Sequence, residues 1–364
     1  MPIPFILGGI AAIAAATGVA KGVSGAKKMS EAKKKIERAN ERHQNNLNRF
    51  DKAQKRSQNT LDSIGKMELE TLKSFKKFQD LIEQIQGRPE FKSQSFDKES
   101  ATSYTPEELK EASIGAELLL AGLSSGGAVA GAIGAVAAGG AASAAVAACG
   151  TLGVAASTGT AIASLSGAAA TNAALAALGG GTLAAGGGGV ALGSMVLGAG
   201  TLGIGLLVGG WIMNSIGSSL SDKADEAWSQ MKKAETEINK VCKYLDRLST
   251  TAQKFGHAFR TVDDLYKKML SNLDHIITQE KRREWSSFSP EEKLLTQNTV
   301  LLVGLLYNMT KVKLILKNTA TDSVPQVNDE AVYTTIHNTK RTLEQASDDN
   351  PDVQKVFLEL TYGE

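Results

Sequence analysis

The sequence predicts an all-α protein: an elongated bundle of long coiled-coil helices with a glycine- and alanine-rich hydrophobic helical hairpin region. Three observations lead to this prediction. Two polar segments, each of about 60 residues, have helical periodicity and few helix breakers. Between them lies an uncharged stretch of 104 residues, Leu118 to Ser221, without Asp, Glu, Lys, Arg, His or Pro. An apolar N-terminus, Pro4 to Ala20, precedes a run of lysines.

The uncharged stretch is unusual for a soluble domain, because the surface of such a domain needs solvated side chains. It contains 26 of the 37 glycines, and most other positions are Ala, Leu, Val, Ser or Thr. A span far longer than about 18 apolar residues is typical of membrane-seeking segments. We therefore predict a membrane-insertion region over residues 106–221. Its predicted lipid-contacting residues are Leu118, Leu119, Leu120, Val190, Leu192, Leu197, Leu202, Leu206, Leu207 and Trp211.

Small residues recur at every fourth position within this stretch. On a helix such a spacing forms a flat ridge against which a second helix can pack closely in lipid. The alternative is a flexible low-complexity segment, but the accompanying Leu and Val residues favour packed helices. The predicted helix-packing residues are Gly127, Gly131, Gly181, Gly189 and Gly193.

The N-terminal segment, residues 1–20, is predicted to contact a membrane through Phe5, Ile6, Leu7 and Ile10. Basic residues follow the apolar segment rather than precede it, which is unlike a secretory signal. We therefore expect a protein that is cytoplasmic as synthesised and membrane-associated when active. The alternative is a buried helix followed by a solvated charge run. The lysines predicted to contact lipid headgroups are Lys21, Lys27, Lys28, Lys33, Lys34 and Lys35.

Residues 21–86 are predicted to form the first long helix, followed by a linker over residues 87–105. The polar residues Gln54, Ser57 and Glu68 interrupt its apolar face, at positions where an apolar side chain is expected. The apolar residues of this face are Ile36, Ala39, Leu47, Phe50, Leu61, Ile64, Leu72, Phe75, Ile82 and Ile85. After the linker, Thr105-Pro106-Glu107-Glu108 has the pattern of a helix start.

Residues 222–283 are predicted to form the second long helix of the rod, beside the first. Its apolar residues alternate at intervals of four and three without a break, which predicts a coiled coil. We call these residues the heptad stripe: Ala227, Met231, Ala234, Ile238, Val241, Leu245, Leu248, Ala252, Phe255, Phe259, Val262, Tyr266, Met269, Leu273 and Ile276.

Residues 284–346 are predicted to add the C-terminal helices of the bundle. Ser289-Pro290-Glu291-Glu292 predicts the start of a helix that ends near Lys317, and a shorter helix is predicted over residues 329–346. Residues 347–364 are predicted to form a polar tail.

Composition argues against an enzyme or a nucleic-acid-binding protein. The formal net charge is only +2, although Lys21 to Arg56 carries twelve basic and four acidic residues. Two cysteines suggest no disulfide framework, and the four histidines lack metal-ligand spacing. A Gly-x-Gly-x-x-Gly match over residues 198–203 lacks the strand–helix context of a dinucleotide site. We expect no catalytic, cofactor or metal site.

A hydrophobic hairpin between long helices, with a short apolar N-terminus, resembles the α-helical pore-forming toxins of the cytolysin A type. The resemblance is architectural, covers Pro4 to about Ala346, and rests on no diagnostic motif. It implies a soluble monomer that extrudes its hydrophobic element and assembles into a ring. The uncharged stretch is longer than the corresponding element of that family. Residues 179–210 also resemble glycine-rich modules of bacterial proteins.

Two functions follow from the sequence. The first is a membrane-inserting pore former, a toxin or a cell-killing or defence effector, that forms homo-oligomers with or without a second protein component. The alternative is a constitutive membrane-anchored coiled-coil scaffold that tethers partner proteins. Neither flank of the uncharged stretch has the Lys/Arg excess that fixes a cytoplasmic loop, which favours a conditional inserter over a constitutive anchor.

Overall fold

The computed structural model describes residues 22–89, 104–124, 220–312, 314–316, 326–348 and 350–362. These residues confirm the all-α class. They form six α-helices: α1 (Gly22–Glu83), α2 (Pro106–Ser124), α3 (Leu220–Asp274), α4 (Pro290–Thr310), α5 (Asp329–Ala346) and α6 (Pro351–Tyr362).

Two short strands accompany the helices. Strand β1 (Ile315–Leu316) pairs antiparallel with β2 (Gln326–Val327), and the register places Ile315 opposite Val327. A π-helical turn at His275–Gln279 ends α3, and a 3-10 turn at Trp285–Ser287 leads into α4.

The chain divides into two compact units. The described part of the first unit consists of residues 22–54 of α1 and 220–243 of α3. The second unit contains residues 55–83 of α1, residues 244–274 of α3, and α2, α4, α5 and α6. The two long helices therefore contribute to both units.

In the first unit, α1 and α3 run parallel. Arg42 donates to Glu235 at 3.0 Å, while the earlier Lys35 pairs with Asp225 and the later Arg49 donates to Asn239. The partner numbers rise together along both helices, which only a parallel arrangement allows. Apart from Phe50, the buried apolar residues of this pair are small or medium in size: Ala32, Ile36, Ala39, Ala53, Ala224, Ala227, Met231, Ala234, Ile238, Val241 and Cys242.

The second unit repeats this parallel arrangement with larger side chains. Thr71 donates to Asp263 at 2.7 Å, and Ser74 donates to the hydroxyl of Tyr266 at 3.1 Å. Tyr266 also packs edge-on against Phe75, with ring centroids 5.8 Å apart. The largest fully buried side chains of the unit include Phe255, Phe259, Leu61, Leu72 and Leu109.

All fifteen residues of the heptad stripe are buried, across both units. On α1, nine of the ten predicted face residues are buried, and Leu47 is half-buried. The polar exceptions Gln54, Ser57 and Glu68 are buried as well. The apolar periodicity of the sequence therefore marks the buried faces of both long helices, including the positions that lack an apolar side chain.

Helix α2 returns antiparallel to α1. Its start is capped as the sequence predicts, because Thr105 Oγ1 accepts from the Glu108 amide and the Glu108 carboxylate accepts from the Thr105 amide. Gln79 donates to the carbonyl of Pro106, whereas the later Ser113 donates to the carbonyl of the earlier Lys73 at 2.9 Å. The chain therefore reverses direction after α1.

Helix α4 begins at the predicted capping box, in which Ser289 accepts from the Glu292 amide. It ends at Thr310 rather than near Lys317, and β1 follows within five residues. The turn that leads into α2 rests on α4: Tyr104 donates to the carbonyl of Val300 at 3.1 Å.

Residues 351–362 form α6 where the sequence predicts a polar tail, so that prediction is wrong. The Asn350 side chain accepts from the amides of Asp352 and Val353, which caps the first turn. The apolar residues Val353, Val356 and Leu360 lie on one face and are buried. Asp352 also pairs with Lys268 of α3 at 2.7 Å.

Gly256 allows a close approach of α3 to Ile64 of α1 in the second unit. A Cβ atom at this position would lie 2.8 Å from Cγ1 and 3.1 Å from Cδ1 of Ile64. Real side chains do not approach so closely, so a larger residue must displace Ile64.

We expect Gly256→Leu to destabilise the protein by about 1–3 kcal/mol, because it overpacks this contact. Lys254→Leu is the matched control, since Lys254 is exposed on the same helix and its change should stay within about 0.5 kcal/mol. Adding Ile64→Ala to Gly256→Leu should give a loss smaller than the sum of the two single losses. Urea denaturation measures all four variants; equal losses for Gly256→Leu and Lys254→Leu would contradict the close approach.

Candidate membrane-contacting site

The two apolar stretches of the chain adjoin two neighbouring helix starts. The N-terminal segment leads into α1, which begins at Gly22, and the uncharged stretch ends where α3 begins, at Leu220. Four buried residues of this helix pair form one cluster: Ala32, Ile36, Ala224 and Ala227. Ala32 and Ile36 lie 10 and 14 residues after the start of α1, and Ala224 and Ala227 lie 4 and 7 residues after the start of α3. Because the helices are parallel, both starts lie at the same end of the first unit.

Ion pairs across α1 and α3 match specific turns of the two helices but add little to the stability of this end. The side chains of Lys35 and Asp225 are 40 % and 62 % exposed, and that of Arg42 is 52 % exposed. Exposed pairs of this kind contribute only about 0–1 kcal/mol each. The alanine-rich cluster lets the helix backbones approach, and the charges select which turns meet.

The lysines predicted to contact lipid headgroups lie close to this end. Lys28, Lys33 and Lys34 are exposed on α1, whereas Lys35 is half-buried beside Asp225. Lys33 has Glu37 at 4.0 Å, a distance that leaves it largely available to other anions. Lys27 lies within α1, and Lys21 lies outside the described residues. Exposed cations beside an apolar segment are typical of proteins that bind anionic membranes.

The remaining predicted site residues mostly lie outside the described part of the chain. Leu118, Leu119 and Leu120 lie in the last turns of α2, and Leu120 is half-buried. In the described ranges, no helix combines the length and the hydropathy that crossing a membrane requires. The predicted residues outside the described ranges are Phe5, Ile6, Leu7, Ile10, Val190, Leu192, Leu197, Leu202, Leu206, Leu207, Trp211, Gly127, Gly131, Gly181, Gly189 and Gly193.

Polar side chains inside the α1–α3 contact are the feature that sequence reasoning did not recognise as functional. In the first unit, Asn46 is buried and its Nδ2 has no hydrogen-bond partner among the described residues. His43 is also buried, and burial lowers its pKa, so the ring favours the neutral form. In the second unit, Ser57 and Glu68 are 0 % exposed. In the sequence, Ser57 and Glu68 stand out because they are polar where the pattern of α1 predicts an apolar side chain.

The described residues contain no group of three or more His, Cys, Asp or Glu side chains that could hold a metal ion. The Gly-x-Gly-x-x-Gly match at 198–203 lies outside them. What the site offers is a parallel pair of helix starts with exposed cations, next to two apolar stretches.

No family model, no curated protein and no solved structure matches this chain.

We expect Lys33→Glu with Lys34→Glu to weaken binding to anionic vesicles by about thirtyfold or more, since each lysine near a headgroup contributes about 1 kcal/mol. Vesicle co-sedimentation at low salt measures the loss, and added salt should shrink it. Lys73→Glu with Lys76→Glu is the matched control, because both residues are exposed on α1 and the change in net charge is identical. Equal losses for the two pairs would mean that net charge, and not this end of α1, governs binding.

Proposed function

We propose that this chain is a membrane-inserting α-helical pore-forming protein, a toxin or a cell-killing or defence effector, that oligomerises and permeabilises a membrane. The observation that supports this proposal is the cluster of Ala32, Ile36, Ala224 and Ala227. It joins the N-terminal parts of the two helices that directly follow the two apolar stretches of the chain.

The parallel arrangement places the helix starts that follow these stretches at the same end of the first unit. A membrane-contacting segment on each of two antiparallel helices would leave from opposite ends, and only one of the two could reach a given bilayer. Here the N-terminal segment and the end of the uncharged stretch both leave from one end of the first unit. In this proposal they enter the same leaflet, and Lys28, Lys33 and Lys34 bind its headgroups.

The finer architecture belongs to the same proposal. The long helices act as a coiled-coil bundle that carries the insertion region, and the glycine- and alanine-rich region forms a helical hairpin in lipid. Helices there associate through small residues at every fourth position, because lipid provides no hydrophobic force between helices. Copies of the chain then pack around a lumen as a homo-oligomer.

We expect the purified full chain to remain in solution without detergent and to release an encapsulated dye from anionic vesicles. Deleting residues 1–20 should leave a folded helical protein but reduce both vesicle binding and dye release, because the apolar segment and its lysines act together. Circular dichroism checks the fold, and co-sedimentation with fluorescence dequenching checks activity. Unchanged release from the truncated chain would assign the segment a structural role.

The double substitution Gly189→Leu with Gly193→Leu distinguishes a pore from an anchor. It adds apolar area, so partition into lipid should be kept or strengthened, while close helix packing is blocked. A pore needs its helices in register, so we expect binding to persist and dye release to be lost. A wild-type chain that binds vesicles but never releases dye, at any pH or lipid composition, would replace the pore with the membrane-anchored scaffold.

A further inference from the structure

Glu68 places a carboxyl group inside the α1–α3 contact of the second unit. The residue is 0 % exposed, and neither carboxyl oxygen has a hydrogen-bond partner among the described residues. A buried carboxylate without a partner is strongly disfavoured, so burial raises the pKa of Glu68 well above its usual range. With the helices closed, Glu68 is therefore held as the neutral acid.

A second buried carboxyl nearby shows what the same contact provides for a charge. Asp263 of α3 is 1 % exposed, accepts a hydrogen bond from Thr71 at 2.7 Å and lies 2.6 Å from Nζ of Lys267. Thr71 is one helical turn beyond Glu68. In the closed contact, the carboxyl group of Asp263 thus has a hydroxyl and an ammonium group as partners, whereas that of Glu68 has neither.

The closed contact leaves Glu68 little room. One turn before it, Ile64 packs closely against Gly256 of α3, and one turn after it Thr71 donates a hydrogen bond to Asp263. Leu69 and Leu72, its neighbours on α1, are buried. Nothing inside the contact therefore stabilises an ionised Glu68, and the carboxylate must leave the contact to become hydrated.

Charged groups of three helices surround this level of the contact. α1 carries Lys66 and Glu70, which lie 3.9 Å apart, and α3 carries Arg260 and Asp264 in addition to Asp263 and Lys267. On α2, which packs on the same part of α1 through Ser113, Lys110 and Glu117 are exposed and Glu111 is half-buried. None of these charges contributes to the raised pKa of Glu68, whose cause is burial.

We propose that Glu68 is a proton-controlled latch between α1 and α3: its neutral carboxyl permits the closed contact, and its ionisation opens the two helices at this level, where the carboxylate becomes hydrated. The latch is a property of the folded chain and does not depend on membrane activity. It identifies alkalinity as the condition that loosens α1.

The direction of the pH effect follows from proton linkage. The closed contact binds one proton more than the open one between pH 4.5, the ordinary pKa of Glu68, and its higher pKa in the closed contact. Closing is therefore most favourable below pH 4.5, and it weakens as pH rises through this window. Above this window, the free energy of closing no longer changes with pH through Glu68.

Hydrogen exchange of the full chain tests the latch, followed by mass spectrometry and corrected for the intrinsic pH dependence of exchange. Wild-type peptides over residues 61–75 should lose protection as pH rises from 4.5 to about 8, while peptides of α4 keep theirs. Glu68→Gln, which keeps the shape of the side chain without its charge, should abolish this loss.

Glu70→Gln is the matched control, since Glu70 is exposed two residues further along α1 and its change removes the same charge. It should leave the wild-type pH dependence in place. The proposal is overturned if Glu68→Gln and wild type lose protection equally, if Glu70→Gln acts like Glu68→Gln, or if α4 loses protection together with residues 61–75. The last result would mean global unfolding instead of a local opening.

Discussion

Burial of the heptad stripe against a parallel α1 is the constraint on which the rest of the structure depends. Two consecutive antiparallel helices need only a short turn, but parallel ones need a connection that returns to the level where the first helix began. Residues 84–219 make this connection. α2 begins the return, antiparallel to α1, and the uncharged stretch follows it. The hydrophobic region is thus part of the long connection that two parallel helices require. The two ends of this connection are held in place by the packing of the helices that it joins.

The strict periodicity of α3 is what made much of this fold predictable. Fifteen positions alternate at three and four residues, and every one is buried, because an apolar helix face that repeats without a break is unfavourable in water.

The direction of pairing was not predictable, since a parallel and an antiparallel partner bury the same stripe. It rests on contacts such as Arg42 with Glu235, whose partners only the folded chain identifies. α6 was missed because a segment of 12 residues is a weak signal, and the burial of Val353, Val356 and Leu360 and the Asn350 cap are seen only once the chain is folded. For the candidate site, the lysines and apolar stretches were readable from composition, but the meeting of the two helix starts was not.

Glu68 illustrates a different limit of sequence reasoning. A polar residue at an apolar position has two meanings: the stripe is interrupted and faces water there, or the polar group is buried. The pattern does not distinguish them. Asp263 and Glu68 are buried in the same contact but differ in their partners. Thr71 and Lys267 bond the carboxyl group of Asp263, whereas that of Glu68 has no hydrogen-bond partner among the described residues. A neutral core residue at position 68 would hold α1 more firmly, so the acid weakens the very contact that the stripe creates.

The two units also differ in how much they bury, and this difference bears on the proposed function. Eleven of the twelve largest fully buried side chains belong to the second unit; Met231 is the exception. The first unit buries Ala32, Ala39, Ala53, Ala224, Ala227 and Ala234 instead. Because the free energy of burial scales with apolar area, at about 25 cal/mol per Å², a pair of helices joined largely through alanine is held far less firmly than one joined through Phe, Tyr and Leu. The N-terminal segment and the end of the uncharged stretch lead into this weaker pair. An opening confined to the first unit would therefore separate the two helices that follow them, while the core of the second unit stays intact.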